Sequence, residues 1–300
     1  MISIKEINDL PEAEALWRAL SPNKIIFDEW DFRYCFYKHD PLPLHFLAAY
    51  DETELVGLLP LQYSQQFKCL EFFAENFIEN NHPFFKPGYE YLSEELLNYN
   101  FEYPVKIYDL DGDDDYLSAL PVEDYVYYLN LDGLNSFDEY LQKYFSDRRK
   151  RAKFRRVSSL LEEAHTIKVN YNDFNDLALI IELNVKNFGD ESYLKSAKEY
   201  QPFYDLLKLP FAWQVVTITA DGVKVAGSLS VLYKGIYYYL IAGADREAVS
   251  DIFKYLTRVN LELALKAGAN IFNSSLGDCN WKNHWHMDKY PQYKFIKLSE

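Results

Sequence analysis

Cysteine is scarce in this chain: three residues in 300, at positions 35, 69 and 279. Odd in number and widely spaced, Cys35, Cys69 and Cys279 build neither a disulfide framework nor paired C-x-x-C zinc ligands, and a reducing, cytoplasmic setting is expected. Glycine (11) and proline (12) are also few, which excludes collagenous and low-complexity classes. Nowhere do about 18 apolar residues run together without a charge, so no membrane span is expected. The opening MISIKEINDLPEAEALW has acidic residues where a signal peptide is basic. Cations are outnumbered as well, 31 Lys and Arg against 46 Asp and Glu, for a formal charge of −15. Such a field repels polyanions unless a basic patch is concentrated locally, so DNA is not an expected partner.

Apolar residues, in contrast, make up 49% of the chain and aromatics 17%, the composition of a folded protein. A length of 300 admits one large domain or two of about 150 residues. Ala13, Leu16, Trp17 and Leu20 recur at helical spacing behind Pro11, which predicts a short amphipathic helix. Two apolar runs, Phe46 to Tyr50 and Leu55 to Leu61, flank the polar Asp51-Glu52-Thr53-Glu54. This is a hairpin whose second strand is interrupted at Gly57 or Pro60. The pattern returns as Val215 to Thr219 and Val223 to Val231 around Ala220-Asp221-Gly222. Matching Gly57 with Gly227 suggests two copies of one unit.

Between the halves, Ser136 to Ala164 reads as two helices, the first started by Ser136 with Glu139 and the second by Asp147. Helices over Leu177 to Val185 and Ser250 to Ala267, and strands over Tyr237 to Ala242, Asn270 to Ser274 and Tyr293 to Leu298, complete an α+β, mixed-sheet reading. The last of these helices stops at Gly268, a natural terminator.

Four stretches in this order resemble the GNAT-like acyltransferases of the CelD and Fem (FemAB-like) type. They are Phe27 to Trp30 with Val56-Gly57-Leu58-Leu59-Pro60-Leu61; Arg148 to Arg156; Val225-Ala226-Gly227 with Tyr238 to Asp245; and Lys266-Ala267-Gly268-Ala269 with Gly277 and Trp281-Lys282. The resemblance implies two tandem GNAT-like units, 1–135 and 136–300, each a mixed, mostly antiparallel sheet flanked by helices. It also implies transfer of an acyl group from an acyl thioester, acetyl-CoA or another acyl-CoA, to an amine on a small molecule or cell-envelope precursor. A Fem-like transfer from aminoacyl-tRNA, which the net charge disfavours, and a non-catalytic GNAT-like binding protein are the alternatives.

In a GNAT unit a glycine-rich turn and the following helix N-terminus hold the cofactor pyrophosphate. The corresponding segment, Ala242 to Asp251, lacks the G-x-G/A turn and carries Asp245, Glu247 and Asp251. Gly243, Arg246, Ser250 and Asp251 are the cofactor candidates, with a simple helix cap as the plainer reading of Ser250. The run Arg148 to Arg156 holds seven cations in nine residues. Arg148, Arg151 and Arg155 share one helix face and are candidates for an anion site, a solvated face being the plain alternative. The resemblance marks Lys282 as a functional lysine, and beside Trp281, Trp285 and Tyr290 it could hold an anionic ligand in an aromatic-lined slot, with Trp281 an anion- or substrate-binding candidate; an exposed lysine packed along tryptophan is the plain alternative, and Asp278 and Asn280 lie on the same turn. Tyr238 on a central strand and His82 in a polar loop are further catalytic candidates. His284, His286 and Cys279 lack a fourth ligand at a recognisable spacing, so no metal is expected.

Overall fold

The computed structural model describes residues 1–112, 114–277 and 280–298. The chain forms two compact units, Met1–Val126 together with Tyr290–Glu300, and Tyr127–Lys289. An expected boundary at 135/136, with the tail in the second unit, is thereby corrected. The C-terminal strand Asp288–Lys297 pairs antiparallel with Val105–Leu110, Tyr293 opposite Leu110 and Lys297 opposite Val105, and this ladder holds the tail to the first unit.

In the first unit, Asp9 caps the helix Leu10–Leu20 by accepting from the Glu12 N–H at 3.0 Å. Its apolar stripe buries Trp17 completely against Trp30, Phe46, Phe73 and Phe84, with ring centroids 4.6–6.4 Å apart. One buried aromatic of this kind contributes roughly 3 kcal/mol. The strands Phe46–Asp51 and Glu54–Leu59 form the first expected hairpin. Pro60 has no N–H to continue the ladder, and beyond it Leu61–Ser64 joins the strands Cys69–Phe72, Val105–Leu110 and Asp288–Lys297. The hairpin itself lies between Ile2–Ile7 and Phe84–Phe85.

In the second unit five strands run in the order Ile271–Leu276, Ile236–Ala244, Val223–Tyr233, Ala212–Ala220, Ile167–Tyr171. The first pair is parallel and the others are antiparallel. The helix Ile252–Lys266 is the crossover that parallel pairing requires. Its Asn260, fully buried, accepts from Ser228, Ser230 and Tyr237 hydroxyls at 2.9–3.2 Å and so pins the helix to one sheet face. The other face carries the helix Leu177–Phe188, because Gly227 and Gly243 stand opposite each other with no side chain to hold it off. A Cβ at Gly227 would lie 2.7 Å from Ile180, and one at Gly243 would lie 2.4 Å from the backbone nitrogen of Asn184.

The two hairpins share a bulge. Tyr50 faces Leu55 and then Ala49 faces Gly57; Thr219 faces Lys224 and then Ile218 faces Ala226. Each skips one residue at the same distance from a two-residue turn, so the counterpart of Gly57 is Ala226, one position from the Gly227 expected. The strand Ile167–Tyr171 and the helix Ala197–Leu206 were not anticipated, although Ile167, Val169 and Tyr171 alternate and Ser196 with Glu199 forms a capping box.

Candidate active site

The parallel pair in the second unit opens. Ile236, Tyr237 and Tyr238 pair with Ile271, Phe272 and Asn273, and there the ladder stops. Both strands run on, one to Ala244 and the other to Leu276. Residues 239–244 therefore keep a backbone edge that the neighbouring strand leaves unpaired, which is a template for an extended ligand. Asn184 reaches this strand from below, donating to the Ala242 carbonyl at 2.9 Å while accepting from the Ser192 hydroxyl at 2.9 Å.

Lys282 holds the diverging strand in place. The side chain is 2% exposed, its Nζ donates to the Ser275 and Leu276 carbonyls at 2.8 and 2.7 Å, and it lies 4.9 Å from the Tyr127 ring centroid. Ser275 is left-handed at φ 63°, so the strand end turns sharply where the ammonium collects its carbonyls. Lys282, which the resemblance marks as a functional lysine, is thus neither exposed nor laid along tryptophan; it is buried and clamps the strand end. Trp281 packs on Phe253, with centroids 5.3 Å apart. Tyr238 is the last residue of its strand in the parallel ladder and is buried on the face opposite Tyr237 and Tyr239. Burial pushes both of those phenols above their usual range. His82 belongs to the first unit. Its Nε2 lies 2.9 Å from an Asp28 carboxylate oxygen and its Nδ1 3.2 Å from the Pro83 carbonyl, so neither nitrogen is open to a substrate proton. Burial opposes ionisation of Asp28, but His82 and the Lys24 and Ile25 amides hold its carboxyl below the ordinary range.

The turn after Ala244, the segment expected to hold a pyrophosphate, carries the Asp245 carboxylate. Three of its amides are satisfied within the chain: Asp245 N–H donates to Val225, Arg246 to Ala244, and Val249 to the Asp245 carbonyl. The Asp245 carboxylate accepts from the Ala248 N–H at 3.1 Å and from Lys186 Nζ at 2.8 Å, and Lys186 holds its carboxyl below the usual range. The helix begins at Ile252 with left-handed Asp251 in the cap position and not Ser250, which is exposed. Asp251 binds Lys254 at 2.6 Å, and Arg246 lies over the Phe253 ring at 5.2 Å. Gly243 serves the packing of the helix Leu177–Phe188. An acyl-CoA thus finds an open strand edge for its arm but a turn already occupied by a carboxylate.

Asp147 caps the basic helix Arg148–Ala164 through the Arg149 N–H at 2.7 Å. Only some of its cations face outward freely. Arg155 is paired with Asp138 at 2.7 Å, and Arg151 donates to the Phe145 and Ser146 carbonyls, closing the joint between two helices. Arg148 is exposed. A cleft of about 330 Å³ opens instead beside Lys150 and Lys153, with Lys254 and Arg258 across it. Its aromatic wall joins Phe145 to Phe154 (4.8 Å), Phe154 to Trp285 (5.1 Å) and Phe145 to His286 (4.4 Å). His284 also lines it. Among the described residues no group of three metal ligands occurs; Asp278 and Cys279 lie outside them. The cysteines that are described, Cys35 and Cys69, are buried thiols.

The sequence singled out Arg148, Arg151 and Arg155 within the basic run, whereas the cations that line the cleft are Lys150, Lys153, Lys254 and Arg258. The available signal was Phe154, Val157, Ser158 and Leu161, whose spacing marks the inward face of the helix and hence its neighbours Lys150 and Lys153.

Residues 148–283 match the acetyltransferase (GNAT) domain. Over its whole length the chain has the fold of several solved proteins. FemX is 13% identical, with TM-score 0.62 over 99% of this chain and 97% of the other. L-PGS from Bacillus licheniformis is 12% identical, with TM-score 0.58 over 99% and 94%. A tandem GNAT protein from the clavulanic acid biosynthesis pathway is 9% identical, with TM-score 0.55 over 100% and 99%. No curated protein sequence matches. The fold is therefore the tandem-GNAT, Fem-like one. Within its second unit, residues 148–283 carry the match to the acetyltransferase (GNAT) domain.

Proposed function

We propose that the protein transfers an acyl group from a nucleotide-bearing carrier to an amine, at the opening between the strands Ile236–Ala244 and Ile271–Leu276. The observation that carries this reading is the early end of their ladder at Tyr238 and Asn273, inside the GNAT domain. Acyl transfer to an amine needs a neutral nucleophile, donors for the developing oxyanion and a proton for the leaving group. Backbone amides along residues 239–244 suit the second need, since fixed N–H groups in a water-poor slot stabilise a growing negative charge without reorganising. The Lys282 clamp keeps the slot open by fixing the far strand end. Water and the substrate itself would then relay the protons.

The carrier is either an acyl-CoA, the usual donor of the domain, or an aminoacyl-tRNA. The second option is favoured by Asp245 on the phosphate turn and by seven cations between Arg148 and Arg156. The acceptor is an amine of a small molecule or a cell-envelope precursor. Incubating the protein with each carrier and a panel of amines, with products followed by mass spectrometry, tests this. An amine heavier by the acyl group supports the reading; carriers that remain intact across the whole panel contradict it.

A further inference from the structure

We infer that the nucleotide end of the acyl carrier binds in the cleft beside the basic helix and not at the turn after Ala244. This deepens the acyl-transfer reading and rests on it for the word carrier; the binding site itself rests on geometry. At the turn, a carboxylate occupies the position of an anion. Asp245 accepts from the Ala248 N–H at 3.1 Å and is tied to Lys186 at 2.8 Å, while Glu247 lies 3.8 Å from the same ammonium. A phosphate arriving there would meet two carboxylates and displace internal hydrogen bonds.

The cleft offers the opposite environment. Lys150 and Lys153 line it from one helix, and among the described residues neither has a carboxylate within ion-pair reach. Lys254 and Arg258 line it from another, each shared with one acid, Asp251 at 2.6 Å and Glu262 at 2.8 Å. Between the cations lie the faces and edges of Phe145, Phe154, Trp285 and His286. A nucleotide asks for this pairing, cations for its phosphates and π surfaces for its base. A cleft of about 330 Å³ falls in the range of small-molecule sites. Trp281, adjacent in sequence to Lys282, packs on Phe253, adjacent in sequence to Lys254 of the cleft. The adenosine phosphates of coenzyme A and the 3′ end of an RNA share the required chemistry.

The test is calorimetric titration of the full chain with adenosine 3′,5′-bisphosphate, coenzyme A and uncharged tRNA. The variants are Lys150→Gln with Lys153→Gln, and Asp245→Asn separately. The exposed lysines leave the fold intact, and Asp245→Asn keeps an acceptor for Ala248. Wild-type protein should bind at least one probe, and the double variant should bind it about tenfold or more weakly, since each lost charge-assisted contact is worth about a factor of ten. Asp245→Asn should bind as wild type does. Coenzyme A bound without tRNA assigns one source, and tRNA bound without coenzyme A assigns the other. Equal binding by wild type and double variant, a tenfold change in Asp245→Asn, or no binding of any probe at millimolar concentration overturns the inference. Acyl transfer from an acyl-pantetheine, which has no nucleotide, separates the two readings. Product formed equally by both proteins leaves the transfer reading standing whatever the titrations show, and nucleotide binding without transfer from any donor overturns that reading alone.

Discussion

Lys282, singled out in the sequence as a functional lysine, also has a structural part in this fold. A buried ammonium facing two carbonyls cannot be deleted without leaving both acceptors unsatisfied. Lys282→Met is therefore expected to lower stability by about 3 kcal/mol, read as a shift of the denaturant midpoint. Arg246→Ala, on an exposed residue over Phe253, should change the same midpoint by about 0.5 kcal/mol or less. Asp109 carries a pH signature in the first unit. Burial, with Asp124 and Glu123 adding repulsion, pushes its carboxyl up to about 7. The native state then keeps a proton that the unfolded chain releases near its ordinary value of 3.8, so native stability falls as pH rises through that window and levels off above about 7. Asp109→Asn, tolerated at φ 53°, removes the effect. The melting temperature of the variant should gain on wild type from pH 4 to 7 and hold a constant lead above; a constant difference across the range would contradict the assignment.

At the scale of elements, close backbone approach and capping decide where the helices sit. Gly243→Ala would place a Cβ 2.4 Å from the Asn184 nitrogen, where backbone must move, and a cost of about 2–3 kcal/mol is expected. Asp147→Ala should cost about 1 kcal/mol and loosen the start of the basic helix, visible as faster amide exchange at Arg149 and its neighbours. Much of this scale was legible in the sequence: caps at Ser136 and Asp147, both hairpin turns, and the stop at Gly268 all follow from side chains acting on their own backbone. What depended on distant partners was not. Gly227 and Gly243 look alike as strand glycines, and only the helix laid across them shows why both are needed. The same limit applied to the basic run, whose seven charges could be counted but whose division among Asp138, two carbonyls and the cleft depends on the neighbouring helix.

Across the whole molecule, the two units repeat a bulged hairpin, while the opened parallel pair, the Lys282 clamp and the cationic cleft all belong to the second. A chain of net charge −15 that binds a phosphorylated carrier must do so through a local field, and added salt should weaken binding as that field is screened. The measurement that tests this most directly is thermal unfolding of the full chain with and without acetyl-CoA, coenzyme A and aminoacyl-tRNA. A carrier held at about 100 times its dissociation constant adds roughly 2.7 kcal/mol to the native state, so at least one of the three should raise the transition clearly, and salt should reduce the rise. A transition that stays in place with every carrier at saturating concentration would contradict transfer from a nucleotide-bearing donor.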